Sequence, residues 1–388
     1  MYKIGSVKAY RYKLRPSKRI TQVFEETLNV CRELYNGALQ ERRDAWRINR
    51  VSLNYHDQRA QLPEIKLIRP DLNALYSQVP QDVLRRLSKT FDAFFRRVKQ
   101  GQIPGFPRFK GKSRYNSFTY PQSGFSLSGD KLTLSKIGSV RLRLSRPIEG
   151  KIKICTIRRE ADGWFVIFTV EENQCRYFPK TNDTCGNDTC GIDVGIENFA
   201  TFSTGAIIEN PQYLRRALTQ MKIQHRKASK KKRGGSNRGK AARILAKTHL
   251  HVAQQRKDFF HKRSLDLIRE FDEIAVEELN IRGMVKNHHL AKSISDAAWG
   301  SFVLILTSKA ENAGRRVWRV PPQFTSQDCS KCGERVKKSL SMREHRCPGC
   351  GYLAHRDVNA AQNIKARIAP FARVKVTSPD DQRIPVHL

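Results

Sequence analysis

The stretch Cys190-Gly191-Ile192-Asp193-Val194-Gly195-Ile196 reads as a buried strand that carries one acid inside an otherwise apolar run. A charge in such a place is expensive unless a cation or a partner compensates it. Phe199 to Phe202 continues as the hairpin partner of that strand. Farther along, Glu273-Ile-Ala-Val-Glu277 is a second short strand closed by an acid, and Asp357 lies in His355-Arg-Asp-Val-Asn-Ala-Ala-Gln-Asn-Ile364, at the expected start of a helix. A lone acid at a strand end is most often an ion-pair member or a cap. That explanation weakens for three together, because hydrolysis of a phosphodiester at neutral pH needs neutralised charge and an activated water, and paired magnesium ions held by carboxylates provide both.

Around these acids the second half of the chain organises readily. Residues 211–268 read as two long helices joined by a basic loop, and between Lys222 and Lys247 there are eleven Lys or Arg and no acid. Lys230, Lys231, Lys232, Arg233, Arg238 and Lys240 are therefore candidate phosphate contacts. Ser295 to Asn312 reads as one helix closed by Gly314, and Arg316 to Val320 as a strand. Two knuckles follow, Cys329-Ser-Lys-Cys332-Gly and Cys347-Pro-Gly-Cys350-Gly. Each sets two thiolates on a tight turn, with glycine just past the second cysteine to allow a left-handed backbone, and two such turns supply a closed, structural tetrahedral zinc site. His345 would be a fifth ligand, so it is expected beside the site or exposed. Cysteines 31, 155, 175, 185 and 190 carry no signature and are expected as buried thiols.

The first half opens with a strand, Val7 to Leu14, followed by a helix from Thr21 to Trp46 with Phe24, Leu28, Cys31, Tyr35 and Ala38 on one face. A second helix spans about Gln81 to Lys99. Leu84, Leu87, Phe91, Phe94, Phe95 and Val98 form a face whose spacing alone suits helix-bundle core, while Arg85, Arg86, Arg96 and Arg97 are candidate nucleic-acid contacts. From Ser117 to Glu172 the period changes to two, with turns at Ser128-Gly129-Asp130 and Asp162-Gly163, as in a small β-barrel or sandwich. The helices thus look like an insertion between the first strand and the rest. Asn173 to Asn187 reads as a linker and the segment after Pro370 as a loose tail.

Composition narrows the partner. The 388 residues carry 73 Lys plus Arg against 36 Asp plus Glu, a formal charge of +37. Such a chain attracts phosphate polymers by counterion release, with nucleic acid the first expectation and acidic membrane the second. No apolar run approaches the roughly 18 residues that span a bilayer, and the start MYKIGSVKAYRYKLRP lacks the apolar core of a signal peptide, so the expectation is a soluble, cytoplasmic protein. Nine cysteines, four of them in two CxxC pairs, suit metal ligation in a reducing compartment.

GIDVGIENFATFSTG, IAVEELNIRGM, LAKSISDAAWGSF, TSQDCSKCG with CPGCG, HRDVNAAQNI and, in the first half, GFPRFKGK resemble the TnpB (OrfB) family of transposon-encoded proteins, in family order and across nearly the whole chain. The resemblance implies an RNA-guided DNA endonuclease related to type V CRISPR effectors. The implied architecture is α+β and multidomain: a β-barrel wedge domain (1–16 and 113–180) with a helical recognition domain (17–112), a RuvC-like nuclease of RNase H fold (188–322 and 355–370), an inserted zinc ribbon (323–354) and a flexible tail (371–388). Carried over by motif, Asp193, Glu277 and Asp357 would be the catalytic carboxylates holding two Mg²⁺, with Mn²⁺ able to substitute, and Cys329, Cys332, Cys347 and Cys350 the zinc ligands. The implied partners are a guide RNA derived from the transposon end, one protein per RNA, and a double-stranded DNA target cut next to a short adjacent motif, with no membrane. Family members usually have an acid where this chain has His355. Alternatives are a cut-and-paste transposase, whose acids would end in Glu where this chain runs Asp, Glu, Asp, a nuclease-inactive RNA-guided repressor, or a zinc-ribbon DNA-binding protein.

Overall fold

The computed structural model describes residues 6–172, 188–339 and 342–368. The expected linker with Cys175 and Cys185, and the tail after residue 370, lie outside them. The chain divides into two compact units, Met1–Gln174 and Cys175–Leu388.

The first unit runs β1 (Ser6–Arg15), α1 (Lys18–Asn49), α2 (Tyr55–Ala60), α3 (Leu62–Ile68), a 3-10 turn (Pro70–Ala74) and α4 (Gln78–Lys99), then β2 (Ser117–Tyr120), β3 (Phe125–Ser128), β4 (Lys131–Leu134), β5 (Gly138–Arg143), β6 (Lys151–Glu160) and β7 (Gly163–Glu172). The strands form one seven-stranded sheet in the order β2-β6-β7-β1-β5-β4-β3. β1 sits inside it, antiparallel to β7 on one side and to β5 on the other. No ladder joins β2 to β3 among the described residues, so where the sequence pattern suggests a barrel or sandwich the pairing is that of one open antiparallel sheet.

Ser17 caps α1 by accepting from the Ile20 amide, and the helix buries Phe24, Leu28, Cys31, Tyr35, Ala38 and Leu39. These side chains share one core with the sheet: Phe24 packs on Phe118 at 5.8 Å and Trp164 at 4.9 Å between ring centroids. The core reading of α4 holds only for its first half. Val83, Leu84 and Leu87 are buried, whereas Phe95 and Val98 are 53% and 49% exposed. Phe91 packs against the core and also joins Phe94, Phe95 and Phe106 in an aromatic cluster. Periodicity reports an apolar face, not how far an opposing surface extends beneath it.

The second unit runs β8 (Thr189–Val194), β9 (Asn198–Phe202), β10 (Ile207–Glu209), α5 (Tyr213–Ser229), α6 (Ser236–Glu270), β11 (Glu273–Glu277), α7 (Ile281–Met284), α8 (Ala291–Ala297), α9 (Trp299–Asn312), β12 (Arg316–Val320), β13 (Glu344–Arg346), β14 (Leu353–His355) and α10 (Arg356–Ala366). The helix expected from Ser295 to Asn312 is two helices, broken at Ala298, whose backbone is left-handed at φ 51°. A five-stranded sheet has the order β10-β9-β8-β11-β12, with β8, β11 and β12 parallel.

Strand alternation divides this sheet cleanly. Cys190, Ile192, Ile274 and Val276 face a core with Phe260, Leu267, Phe302 and Leu306 of α6 and α9. Ala275 turns the other way, into a core with Val320 and Ile364 of α10. Gly191 lies under α10 as well, where a Cβ would come 2.0 Å from the Ala361 carbonyl oxygen. Only a residue without a side chain lets helix and strand approach so closely. No helix among the described residues is long and apolar enough to cross a membrane.

Candidate functional site

The same alternation aims the two strand acids. Asp193 is two residues after Gly191 and Glu277 two after Ala275, so both point to the α10 face. In the parallel ladder the last recorded partners are Ile192 and Val276, which puts Asp193 and Glu277 one step beyond, side by side at the strand ends. Asp357 enters from the first turn of α10, whose N-cap is His355: its Nδ1 accepts the Asp357 amide at 3.3 Å. The structure therefore gives His355 a capping contact at the helix that carries Asp357. Arg356 Nη2 lies 3.1 Å from Asp357 Oδ1, and the Thr325 hydroxyl donates to Glu277 Oε1 at 2.6 Å.

Electrostatics report the convergence. Burial, followed by the charges of Glu277 and Asp357, raises the Asp193 carboxyl well above its ordinary value, and Arg356 opposes the shift. Burial likewise raises Glu277, against the Thr325 hydrogen bond and Arg367. Asp193 and Glu277, which burial holds back from ionising, form with Asp357 a donor set for hard divalent cations, which offset the burial of charge. Among the described residues, the cysteine quartet is the one group of three or more possible ligands whose atoms all lie within 4.8 Å of one another.

The quartet is compact. Cys329 and Cys350 Sγ are 3.7 Å apart and Cys332 and Cys347 Sγ 3.5 Å. A tetrahedral zinc with bonds of about 2.3 Å would separate its sulfurs by about 3.8 Å, so the four thiols fit that ion. The knuckles are built alike: Gly333 and Gly351, at φ +82° and +71°, return their amides to the Cys329 and Cys347 carbonyls. Burial pushes the Cys329 thiol up, but the Cys332 and Lys331 amides and the His345 side chain bring it down to about 6, toward the ligating thiolate. His345 is fully buried beside Cys329, with Nδ1 against Lys338 Nζ. Cys31, Cys155 and Cys190 are buried free thiols.

The basic candidates separate by environment. Lys230, Lys231, Lys232 and Arg233 are exposed in the turn between α5 and α6, as is Lys240 on α6, while half-buried Arg238 donates to the Lys231 carbonyl. Arg96 and Arg97 are exposed at the end of α4. Arg85 lies over the Tyr55 ring, 5.5 Å from its centroid. Arg86 spends its guanidinium inside the protein, on Asp82, the Ser117 carbonyl and Thr119. Its charge was legible in the sequence, its bracing of α4 against β2 was not.

Sequence reading also missed Thr325, Asn359 and Asn363. The i, i+4 spacing of two asparagines, poor helix formers, within HRDVNAAQNI was the available signal.

Residues 167–288 match the OrfB_IS605 family, described as "Probable transposase", residues 299–364 match the Cas12f1-like TNB domain, and residues 6–50 match a helix-turn-helix domain. In this chain that last stretch is β1 followed by the uninterrupted 32-residue α1. A Streptomyces pristinaespiralis protein named "Putative RNA-guided DNA endonuclease" is 34% identical over 370 residues, 92% of this chain and 89% of that one. The Escherichia coli K12 protein "Putative RNA-guided DNA endonuclease InsQ" is 28% identical over 381 residues, 93% of this chain and 92% of that one. In fold, the chain is similar to Cas12f1 in a solved complex with sgRNA and target DNA, with a TM-score of 0.56 at 15% identity, covering 90% of this chain and 83% of that one. With a relative of that identity aligned along nearly its whole length and the family match spanning both strand acids, the chain belongs to the OrfB (TnpB) family of transposon-associated proteins.

Proposed function

We propose that this chain is an RNA-guided DNA endonuclease, a hydrolase of phosphodiester bonds whose active site is Asp193, Glu277 and Asp357. The observation that carries the reading is the convergence of the three acids on one face of the sheet, where Asp193 is buried against the charges of Glu277 and Asp357, in a protein of formal charge +37. The names of the Streptomyces and Escherichia coli relatives support the activity class. The five-stranded sheet with α10 across one face serves as the RuvC-like nuclease of RNase H fold, and the cysteine ribbon as an inserted zinc module. The seven-stranded sheet serves as the wedge domain, and α1–α4 as its recognition insertion.

Two Mg²⁺ ions, when bound, would supply charge neutralisation and an activated water at the scissile phosphate. The chain's own part is to hold the carboxylates. β8 and β11 fix two of them on adjacent strands, His355 caps the helix that brings the third, and burial excludes competing water. Arg356 lies against Asp357 and offsets its charge. The exposed basic turn, Lys230 to Arg233, with Lys240, Arg96 and Arg97, grips a structured RNA by its backbone, leaving base pairing to choose the DNA next to a short adjacent motif. The guide comes from the transposon end, one protein per RNA.

Cleavage of a plasmid bearing the guide-matched target tests the reading. Asp193→Ala should abolish cutting while RNA and target binding persist; cleavage retained by that variant removes Asp193 from the active site. A strand-joining assay with transposon ends separates this activity from the one in the family description, since joined product would identify a transposase.

A further inference from the structure

Glu277, the first cysteine knuckle and the helix that carries Asp357 are joined by a continuous run of hydrogen bonds. Asn359, fully buried on α10 two residues after Asp357, donates from Nδ2 to the Asp328 carbonyl at 2.8 Å and accepts the Ser330 amide on Oδ1 at 2.9 Å. One turn on, Asn363 Nδ2 reaches the Asp328 carbonyl at 2.6 Å and the Thr325 carbonyl at 2.8 Å. The Ser330 hydroxyl, between Cys329 and Cys332, donates to Gln362 Oε1 at 2.7 Å. Thr325 is itself 4% exposed, and its hydroxyl closes the run on Glu277. One six-residue segment, 325–330, thus touches the helix of Asp357, the side chain of Glu277 and the start of the thiol quartet.

We propose that Thr325 is a positioning residue for Glu277, and that the first knuckle, clamped to α10 by Asn359 and Asn363, sets the spacing of Glu277 and Asp357, so that a loaded zinc site governs divalent-cation affinity at the carboxylates. The proposal rests on the reading of those acids as metal ligands. The hydroxyl occupies one lone pair of Oε1 and leaves Oε2 and the other lone pair for a cation. A carboxylate so held loses less freedom when it binds than one turning freely, and groups that orient ligands in this way are worth about ten- to a hundredfold in metal affinity. Asn359 and Asn363 extend the constraint because their amides satisfy knuckle backbone that would otherwise be buried without partners. With the thiols unliganded, the knuckles keep lighter contacts, among them Cys347 Sγ to Glu334 Oε2 at 3.6 Å and Lys331 Nζ 5.7 Å from the Tyr352 ring centroid, and the first knuckle is held less firmly than by four zinc–sulfur bonds.

Calorimetric titration of the full-length chain with Mn²⁺ tests this, with zinc content and melting temperature measured on each variant. Thr325→Val keeps the shape and removes the hydroxyl. It should weaken Mn²⁺ binding about tenfold or more at unchanged zinc content, Thr325→Ser should restore it, and in cleavage the Thr325→Val deficit should shrink as Mn²⁺ is raised. Cys347→Ser, which loses zinc, should weaken Mn²⁺ binding as well, as should Asn363→Ala. Wild-type affinity in Thr325→Val, or equal weakening in Thr325→Val and Thr325→Ser, overturns the positioning role; wild-type affinity in a zinc-free, folded Cys347→Ser overturns the coupling. Asp193→Ala separates the two levels. If it abolishes Mn²⁺ binding while the Thr325 and Cys347 variants bind normally, only the inference falls; if it too binds normally, the carboxylate site falls and the inference with it.

Discussion

Gly191→Ala is the sharpest probe of how the fold makes the site. The added Cβ would lie 2.0 Å from the Ala361 carbonyl oxygen, 2.6 Å from the Lys365 amide nitrogen and 2.9 Å from the Lys365 Cβ, all on α10. Two of these are backbone atoms that cannot rotate away, and Cβ contacts under 3.0 Å are essentially never made. Helix and strand must therefore part by about 1 Å. Overpacking of this kind costs about 1–3 kcal/mol, and a misplacement of about 1 Å at a reacting centre costs about a hundredfold in rate. Because α10 carries Asp357, the same displacement damages both stability and catalysis. Gly37→Ala is the matched control: Gly37 is exposed within α1 with nothing within 4 Å of its ideal Cβ, so the identical substitution should stabilise by about 0.5–1 kcal/mol through helix propensity. Denaturant unfolding of the two variants, with guided plasmid cleavage alongside, checks the pair. If Gly191→Ala unfolds like the wild type and cuts at more than a tenth of its rate, α10 does not rest on β8 as described and the account of how Asp357 is placed is refuted.

Further outcomes follow from the charges and thiols. The Asp193 and Glu277 carboxyls are raised by burial, and a protonated carboxyl does not hold a divalent cation, so cleavage should rise with pH through a midpoint above the ordinary carboxylate range of about 4; a rate flat down to that range contradicts the burial of these acids. The same shift means that these groups favour the metal-free fold below their unfolded pKa and that this stability is lost as pH rises through the raised values, so Asp193→Asn should raise the neutral-pH melting temperature of the metal-free chain. Cys347→Ser should release the zinc and lower the melting temperature; elemental analysis showing unchanged zinc would discard the ligand set. Replacing Lys230, Lys231, Lys232 and Arg233 together by Gln should weaken RNA binding and flatten its dependence on salt by about 0.7 log units per lost phosphate contact, and an unchanged slope would show that this turn does not touch the backbone.

Much of the local structure was written in the chain. The apolar run around Asp193, the strand closed by Glu277 and the period-two stretch from Ser117 to Glu172 read as strands because neighbouring residues set the alternation that burial later uses. The twin knuckles were legible for a similar reason: CxxC followed by glycine specifies its own turn. Where an apolar face ends was not legible, as the exposed Phe95 and Val98 demonstrate, because the extent of the opposing surface belongs to distant residues. Nor was the use of Arg86, whose charge is a local fact but whose partners Ser117 and Thr119 lie some thirty positions away.

Sequence by itself thus determined which side chains could carry charge, ligate metal or turn the backbone, since those properties depend on residue type and near neighbours. Tertiary structure alone decided that Asp193 is buried against the charges of Glu277 and Asp357, that Gly191 must be bare because α10 lies on it, and that Thr325 touches Glu277. The physical reason is range: turns and strand alternation are set within a few residues, whereas desolvation, repulsion between carboxylates and close packing exist only once remote parts of the chain share the same volume.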